Sequence, residues 1–263
     1  MHITLELFGH TFSTYGFLAL SGILFGFIYI AVFSKHYGIK ADDAFYVYAY
    51  TLIALGIGAK LLFILVSMPA ITADIRLIIG DHISAVTLVK YLTGGFVFYG
   101  GLIGAIFGAI LSCKYFNLDF NKMLPVILPA TVILSIFGRI GCFMAGCCYG
   151  RETASFIGVT FPEGGLAPAG IKLIPTQLIE AVIDIFILIA VIIVLNKEKL
   201  RVYTLPFYII TYSIMRFILE FFRGDPDRGF IGILSVSQCI SILLIVISVV
   251  YIVKQKSLNK SST

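Results

Sequence analysis

The sequence predicts an all-α integral membrane protein with seven transmembrane helices and an outward-facing loop cap, on three observations. Of its 263 residues, 59% are apolar or aromatic and the mean hydropathy is +1.03. Only 13% are charged, about half the share usual in soluble proteins, which excludes a water-soluble fold. Seven stretches reach the roughly 20 apolar residues that a helix needs to cross a hydrocarbon core of about 30 Å. Disorder is excluded too, since 23 Phe and 14 Tyr are the opposite of a polar, low-complexity composition.

The first span, Tyr15–Phe33, is uncharged, and no basic segment or cleavage site precedes it, so it reads as a retained helix rather than a signal peptide. The second, Ala44–Met68, carries Lys60 late in its length. The third, Thr93–Cys113, repeats glycine at Gly100, Gly104 and Gly108, the spacing that lets helices approach closely. Its doublets Gly94–Gly95 and Gly100–Gly101 lower helix propensity by up to ~1 kcal/mol per glycine, and they also suit a backbone that a ligand approaches. In Met123–Ala145, Pro125 and Pro129 lie inside and Gly138, Gly141 and Gly146 follow, so a broken or re-entrant element fits as well as a straight helix. Leu178–Leu195, Val202–Phe222 and Phe230–Val253 complete the set. With no linker or internal repeat, residues 1–263 read as a single polytopic membrane domain.

Alternate connections differ in basic residues. One side holds Lys35, Lys40, Lys114, Lys122, Lys197, Lys199, Arg201, Lys254, Lys256 and Lys260; the other holds Arg76, Lys90, Arg151, Lys172 and Arg228, with Arg223 at its rim. This asymmetry places the N-terminus outside and the C-terminus in the cytoplasm. The two longest connections, 69–92 and 146–176, then face outward as a cap or lid. The net charge of +5 is spread over these loops, and no nucleic-acid partner is expected.

Charged residues within spans mark functional sites by default, because a buried ion costs several kcal/mol in hydrocarbon. Lys60, Arg139, Arg216, Glu180, Asp184 and Glu220 all fall in the outer half of the membrane. Mutual neutralisation within a helix bundle explains them, with Arg216 and Glu220 at i,i+4. A polar cavity open to the outer leaflet also explains them, since arginine is a planar clamp for phosphate oxygens and the candidate anion is a phospholipid head group.

The string Gly138-Arg-Ile-Gly-Cys-Phe-Met-Ala-Gly-Cys-Cys-Tyr-Gly-Arg151 is the most unusual in the chain. It resembles the signature of the prolipoprotein diacylglyceryl transferase family, approximately G-R-I-G-N-F-x-N-G-E-x-x-G. Thr14-Tyr-Gly-Phe-Leu resembles the family's start of the first helix, and Gly56-Ile-Gly-Ala-Lys-Leu its second-helix motif, with Lys60 where Arg is common. Gly94-Gly-Phe-Val-Phe-Tyr-Gly-Gly-Leu-Ile-Gly-Ala105 is similar to G-G-x-x-F-H-G-G-L-I-G-A, and Pro175-Thr-Gln-Leu-Ile-Glu-Ala181 to P-S-Q-L-Y-E-A. Tyr212-Ser-Ile-Met-Arg-Phe-Ile-Leu-Glu-Phe-Phe-Arg223 is similar to Y-x-x-x-R-F-x-x-E-F-x-R, and Leu234-Ser-Val-Ser-Gln238 to L-S-M-G-Q. The matches are collinear over nearly the whole chain.

The resemblance implies an enzyme of the bacterial cell membrane that moves the diacylglyceryl group of phosphatidylglycerol onto the lipobox cysteine of a prolipoprotein. A thioether forms and glycerol 1-phosphate leaves. Its partners are then phosphatidylglycerol, the lipobox peptide and membrane lipids, with no cofactor. Carried over position by position, Arg139 and Arg216 clamp the phosphate and stabilise its developing charge. Glu180 and Glu220 orient them, and Tyr15, Lys60, Gly100, Gly101, Tyr212 and Arg223 line the lipid site.

Three of the chain's departures from the family bear on the reaction. Tyr99 stands where the family has a histidine proposed as general base, and a phenol with a pKa near 10 is a poor base at neutral pH. It is retained as a catalytic candidate. Cys142 and Cys147 replace Asn and Glu, beside Cys148. Their role is open between buried small side chains, a redox pair and a thiol that handles an intermediate. No metal is expected, because adjacent Cys147 and Cys148 chelate one ion poorly and no nearby histidine completes a tetrahedron. Two other functions stay open: a diverged phospholipid-processing transferase with another acceptor or a thiol relay, and a non-enzymatic lipid-binding or transport protein.

Overall fold

A computed structural model describes residues 4–7, 10–78, 97–225 and 229–261. Seven long helices dominate it: α1 (Thr14–Phe33), α2 (Ala41–Ile78), α3 (Phe98–Tyr115), α4 (Phe120–Ala145), α5 (Thr176–Leu195), α6 (Thr204–Leu219) and α7 (Val236–Ser261). Turns of 3-10 helix at Glu198–Tyr203 and Glu220–Phe222 lengthen α6 at both ends. All seven are long and apolar enough to cross a membrane. Their outward faces carry side chains such as Leu20, Leu24 and Val32, as lipid contact requires. The chain is an all-α, multi-pass membrane protein.

Among the described residues, strands occur as three two-stranded antiparallel pairs: β1 (Thr4–Leu7) with β2 (His10–Ser13), β3 (Val159–Thr160) with β4 (Lys172–Leu173), and β5 (Phe230–Ile231) with β6 (Leu234–Ser235).

Three details differ from the sequence expectation, and for α4 the structure decides between the two alternatives left open. Helix α2 runs on to Ile78, so the 69–92 connection begins as helix; residues 79–96, including Gly94–Gly95, lie outside the described residues. Helix α4 is continuous through Pro125 and Pro129. Both prolines stand in its first ten residues and four apart, which confines the lost i→i−4 bonds to one strip near the helix start. The last span opens with the β5–β6 hairpin, in which Gly232 takes a positive φ of 62° and turns the chain, so α7 begins only at Val236. The β1–β2 hairpin ahead of α1 was not anticipated.

The chain forms two compact units, Met1–Ala41 with Leu124–Thr263, and Asp42–Met123. In the first, α5 buries Gln177, Glu180, Asp184, Ile187, Val191 and Leu195, one stripe at helical spacing. The stripe is polar at its start and apolar beyond. Helix α6 buries Tyr208, Tyr212, Arg216 and Leu219 in the same manner, polar towards its end. Gly22 of α1 admits Phe137 of α4, where an added Cβ would sit 2.8 Å from the Phe137 Cβ.

The 146–176 connection is built around β3–β4, with Phe161, Ala167 and Leu173 as a small core against Phe143 and Tyr149. It is tied to the helix ends by backbone bonds. Gly150 N–H donates to Ile174 O (2.9 Å), Arg151 N–H to Phe222 O (2.8 Å) and Gly224 N–H to Tyr149 O (3.0 Å).

In the second unit α2 and α3 touch backbone to backbone. A Cβ on Gly58 would fall 2.9 Å from Gly104 Cα, and one on Gly100 would fall 2.6 Å from Leu62 Cβ. The glycine series predicted to permit close helix approach does so here.

Candidate active site

The end of α4, the start of α5 and the end of α6 bring together a row of buried charges of alternating sign. Arg139 Nη2 lies 2.7 Å from Glu180 Oε1, and the other Glu180 oxygen lies 3.6 Å from Arg216 Nη1. Arg216 Nη2 is 2.9 Å from Glu220 Oε2, one helical turn on. Glu220 Oε2 is also 3.8 Å from Arg223 Nη1, and Arg223 closes the row on Asp225, its Nε donating to Oδ1 at 2.8 Å. The Arg139, Glu180, Arg216, Glu220 and Arg223 side chains are each no more than 10% exposed.

Tyr212 braces the first pair. Its hydroxyl accepts from Arg139 Nη2 at 3.2 Å and donates to Glu180 Oε1 at 3.1 Å. Asp184, one turn beyond Glu180, accepts from Ser135 Oγ at 2.8 Å, and its Oδ1 is buried with no hydrogen-bond partner among the described residues. Tyr15 packs on Gly141, where a Cβ would come within 3.0 Å of its ring.

One turn past Arg139 the thiols of Cys142, Cys147 and Cys148 lie within 4.8 Å of one another. The backbone achieves this with two left-handed residues. Gly146 (φ 73°) ends α4, and Cys148 (φ 57°) repeats the turn, at a cost of roughly 1–2 kcal/mol for a residue with a Cβ. Two side chains from the start of α5 hold the segment: Gln177 Nε2 donates to Cys147 O at 2.6 Å, and Thr176 Oγ1 to Cys148 O at 2.7 Å. Hydrogen bonds from Cys142 and Cys147, helped by the Arg223 and Arg139 charges, hold the Cys148 thiol well below the usual range despite its burial. For Cys147, the hydrogen bond with Cys142 favours the thiolate, but the bond to Cys148 and burial outweigh it and push the thiol up to about 12.

Of the residues singled out in the sequence, Arg139, Glu180, Arg216, Glu220, Arg223, Tyr212, Tyr15 and the three cysteines belong to this first unit. Tyr99, Lys60, Gly100 and Gly101 belong to the second. There Tyr99 is buried beside Phe98, Lys60 Nζ stands 4.9 Å over the Phe63 ring, and Gly100 and Gly101 face α2. Sequence reasoning passed over Ser135, Asp225 and the pinning roles of Thr176 and Gln177. The last two lie within the matched Pro175–Ala181 motif, which was the available signal.

A family model described as prolipoprotein diacylglyceryl transferase matches residues 2–254. The chain is 36% identical over 241 residues to phosphatidylglycerol–prolipoprotein diacylglyceryl transferase 2 of Clostridium perfringens (strain 13 / Type A), covering 92% of this chain and 90% of the relative. It is 37% identical over 247 residues to the phosphatidylglycerol–prolipoprotein diacylglyceryl transferase of Clostridium tetani (strain Massachusetts / E88), covering 94% of each. Against the protein of that name from Finegoldia magna identity is 28% over 255 residues, 97% of this chain and 95% of the relative.

Proposed function

The chain belongs to the prolipoprotein diacylglyceryl transferase family, and from that premise we propose that it is the transferase of lipoprotein biosynthesis. It moves the diacylglyceryl group of phosphatidylglycerol to the lipobox cysteine of a prolipoprotein. The thiolate attacks the glyceryl carbon, the carbon–oxygen bond breaks, and glycerol 1-phosphate leaves with the electron pair. The observation that carries this reading is the arrangement at Arg139: a guanidinium in an apolar bundle, aimed by Glu180 and Tyr212, beside a thiol cluster. Fixed cations in a low-dielectric site stabilise a departing phosphate without reorganising.

Arg139 and Arg216 are the phosphate clamps, Glu180, Glu220 and Tyr212 fix their orientation, and Arg223 and Tyr15 extend the lining. On the family resemblance, Tyr99 stands at the position of the family's proposed base and Lys60 at that of a common arginine, while Gly100 and Gly101 serve the α2–α3 packing. A relay through the protein's own cysteines fails chemically, because an alkyl thioether is too poor a leaving group to hand the glyceryl carbon on. The fewer basic residues at the 146–176 end argue for a charge row towards the outer leaflet of a bacterial cell membrane, with the N-terminus outside and the C-terminus cytoplasmic.

Complementation of a cell depleted of its own transferase tests the function. In parallel, purified protein is mixed with phosphatidylglycerol and a lipobox peptide. Growth, with a peptide mass increase of one diacylglyceryl group, is the expected result; neither appearing refutes the reading.

A further inference from the structure

We propose that Cys142, Cys147 and Cys148 form a three-thiolate site for a soft divalent cation such as Zn(II), whose fourth position takes the acceptor peptide's cysteine. The second half of this proposal rests on the transferase reading above; the first does not.

The objection raised by the sequence, that neighbouring cysteines diverge, holds on a regular backbone. The left-handed Cys148 removes it, turning the chain so that all three sulfurs gather within 4.8 Å. An ion about 2.3 Å from each sulfur would set them roughly 4 Å apart, within reach of small side-chain torsions. Strain of this kind in a residue with a side chain points to function when the surroundings enforce it, and Gln177 and Thr176 do so by gripping the carbonyls of Cys147 and Cys148. A disulfide would need two of these thiols and strand the third.

Among the described residues, no histidine or carboxylate joins the three sulfurs as a fourth ligand. Structural zinc sites are closed by four protein ligands, whereas sites that act on a substrate keep one position open. The substrate here is itself a thiol, and a coordinated thiol loses its proton outright. The step balances: the acceptor S–H gives its proton to water and its sulfur to the ion. The metal-bound thiolate then forms the C–S bond as the C–O electron pair leaves on glycerol 1-phosphate. An imidazole base is not needed, and His82 is the last histidine in the chain.

The test uses the full-length, fully reduced protein in detergent, stripped by a chelator and titrated with Co(II), whose charge-transfer and ligand-field absorption report sulfur ligation and tetrahedral geometry. One ion per chain is expected, with affinity falling more than about tenfold in each of Cys142→Ser, Cys147→Ser and Cys148→Ser. It should be unchanged in Cys113→Ala/Cys239→Ala, which shows that thiol content alone is not responsible. A lipobox peptide should shift the ligand-field bands, and its Cys→Ser version should not. No stoichiometric binding by the reduced protein, or binding that survives the serine variants, overturns the site. So does an obligatory disulfide among the three. A spectrum indifferent to the peptide thiol, or lipid transfer that persists undiminished after chelation, overturns the activating role while leaving the transferase reading intact. Absence of transfer in every metal state refutes the transferase reading, and the Co(II) titration then decides the metal site by itself.

Discussion

Arg139 and Tyr212, from α4 and α6, converge on one carboxylate oxygen of Glu180 and hydrogen-bond each other, making a closed triangle with sides of 2.7, 3.1 and 3.2 Å. The triangle fixes the plane of the guanidinium, and with it the direction in which Arg139 presents charge. A tyrosine ring filling the bundle interior could be replaced by phenylalanine on packing grounds alone; the hydroxyl is there for the other two.

Tyr212→Phe therefore keeps the packing and loses the brace. Its kcat/KM for peptide lipidation should fall about tenfold, roughly 1.4 kcal/mol of transition-state stabilisation. Arg139 and Glu180 still hold each other, so unfolding in detergent should show a loss of only about 0.5–1.5 kcal/mol per hydrogen bond removed. Unaltered kinetics would show that Arg139 needs no brace.

Arg139→Ala and Arg216→Ala should each abolish transfer while the protein still reaches the membrane. Each removes one of the two cations beside Glu180, at up to about 3–5 kcal/mol, so insertion and thermal stability must be measured beside activity. Lysine at either position should restore only part of the rate, having no bidentate fork. Normal turnover in both alanine variants would leave the charge row a purely structural device.

The α2–α3 contact gives a pair of opposite outcomes. A Cβ at Gly104 would press on Gly58 Cα at 3.1 Å and on the Ala54 carbonyl, whereas one at Gly138 meets nothing within 4 Å. Gly104→Ala should destabilise by about 1–3 kcal/mol, and Gly138→Ala should be neutral or stabilise by up to about 1 kcal/mol. Calibrated thermal unfolding in detergent compares the two.

For Tyr99, substitution by phenylalanine isolates the hydroxyl. A loss of about tenfold or more in transfer rate is expected if it contacts the reacting lipid, with no change in Co(II) affinity. Full retention of rate would remove it from the site.

Topology is tested by Ser155→Cys and Lys199→Cys in a background lacking the five native cysteines. Residue 155, exposed in the 146–176 connection, should react with an impermeant thiol reagent in intact cells. Residue 199 should react only after lysis. The reverse pattern would put the charge row at the inner leaflet.

The helices and the polar end of the bundle were legible in the sequence, because apolar runs of this length have few other uses and because ionisable residues within them must find partners. Glu180 and Arg216 could be matched by composition and motif. What could not be read was which oxygen faces which nitrogen, since that depends on helix rotation. The convergence of Cys142 with Cys147 and Cys148 was hidden for a different reason: it requires a positive φ at Cys148, a conformation that a cysteine's own preferences argue against. Spacing rules assume a regular backbone and failed where the backbone is irregular. The β5–β6 hairpin was masked in the same way, its Phe230 and Ile231 being as apolar as the helix that follows.

The alternating row from Arg139 to Asp225 also bears on how the chain enters a bilayer. Helix α6 arrives with Arg216 and Glu220 already paired on its own surface, so it can be released into lipid as a neutral unit. Helices α4 and α5 cannot: Arg139 on one and Glu180 on the other meet only when the two lie side by side. Released singly, each would carry a naked charge into hydrocarbon. The two helices should thus leave the translocation channel together as a hairpin, which makes biogenesis of this protein sensitive to the 146–175 segment that joins them before any substrate is met.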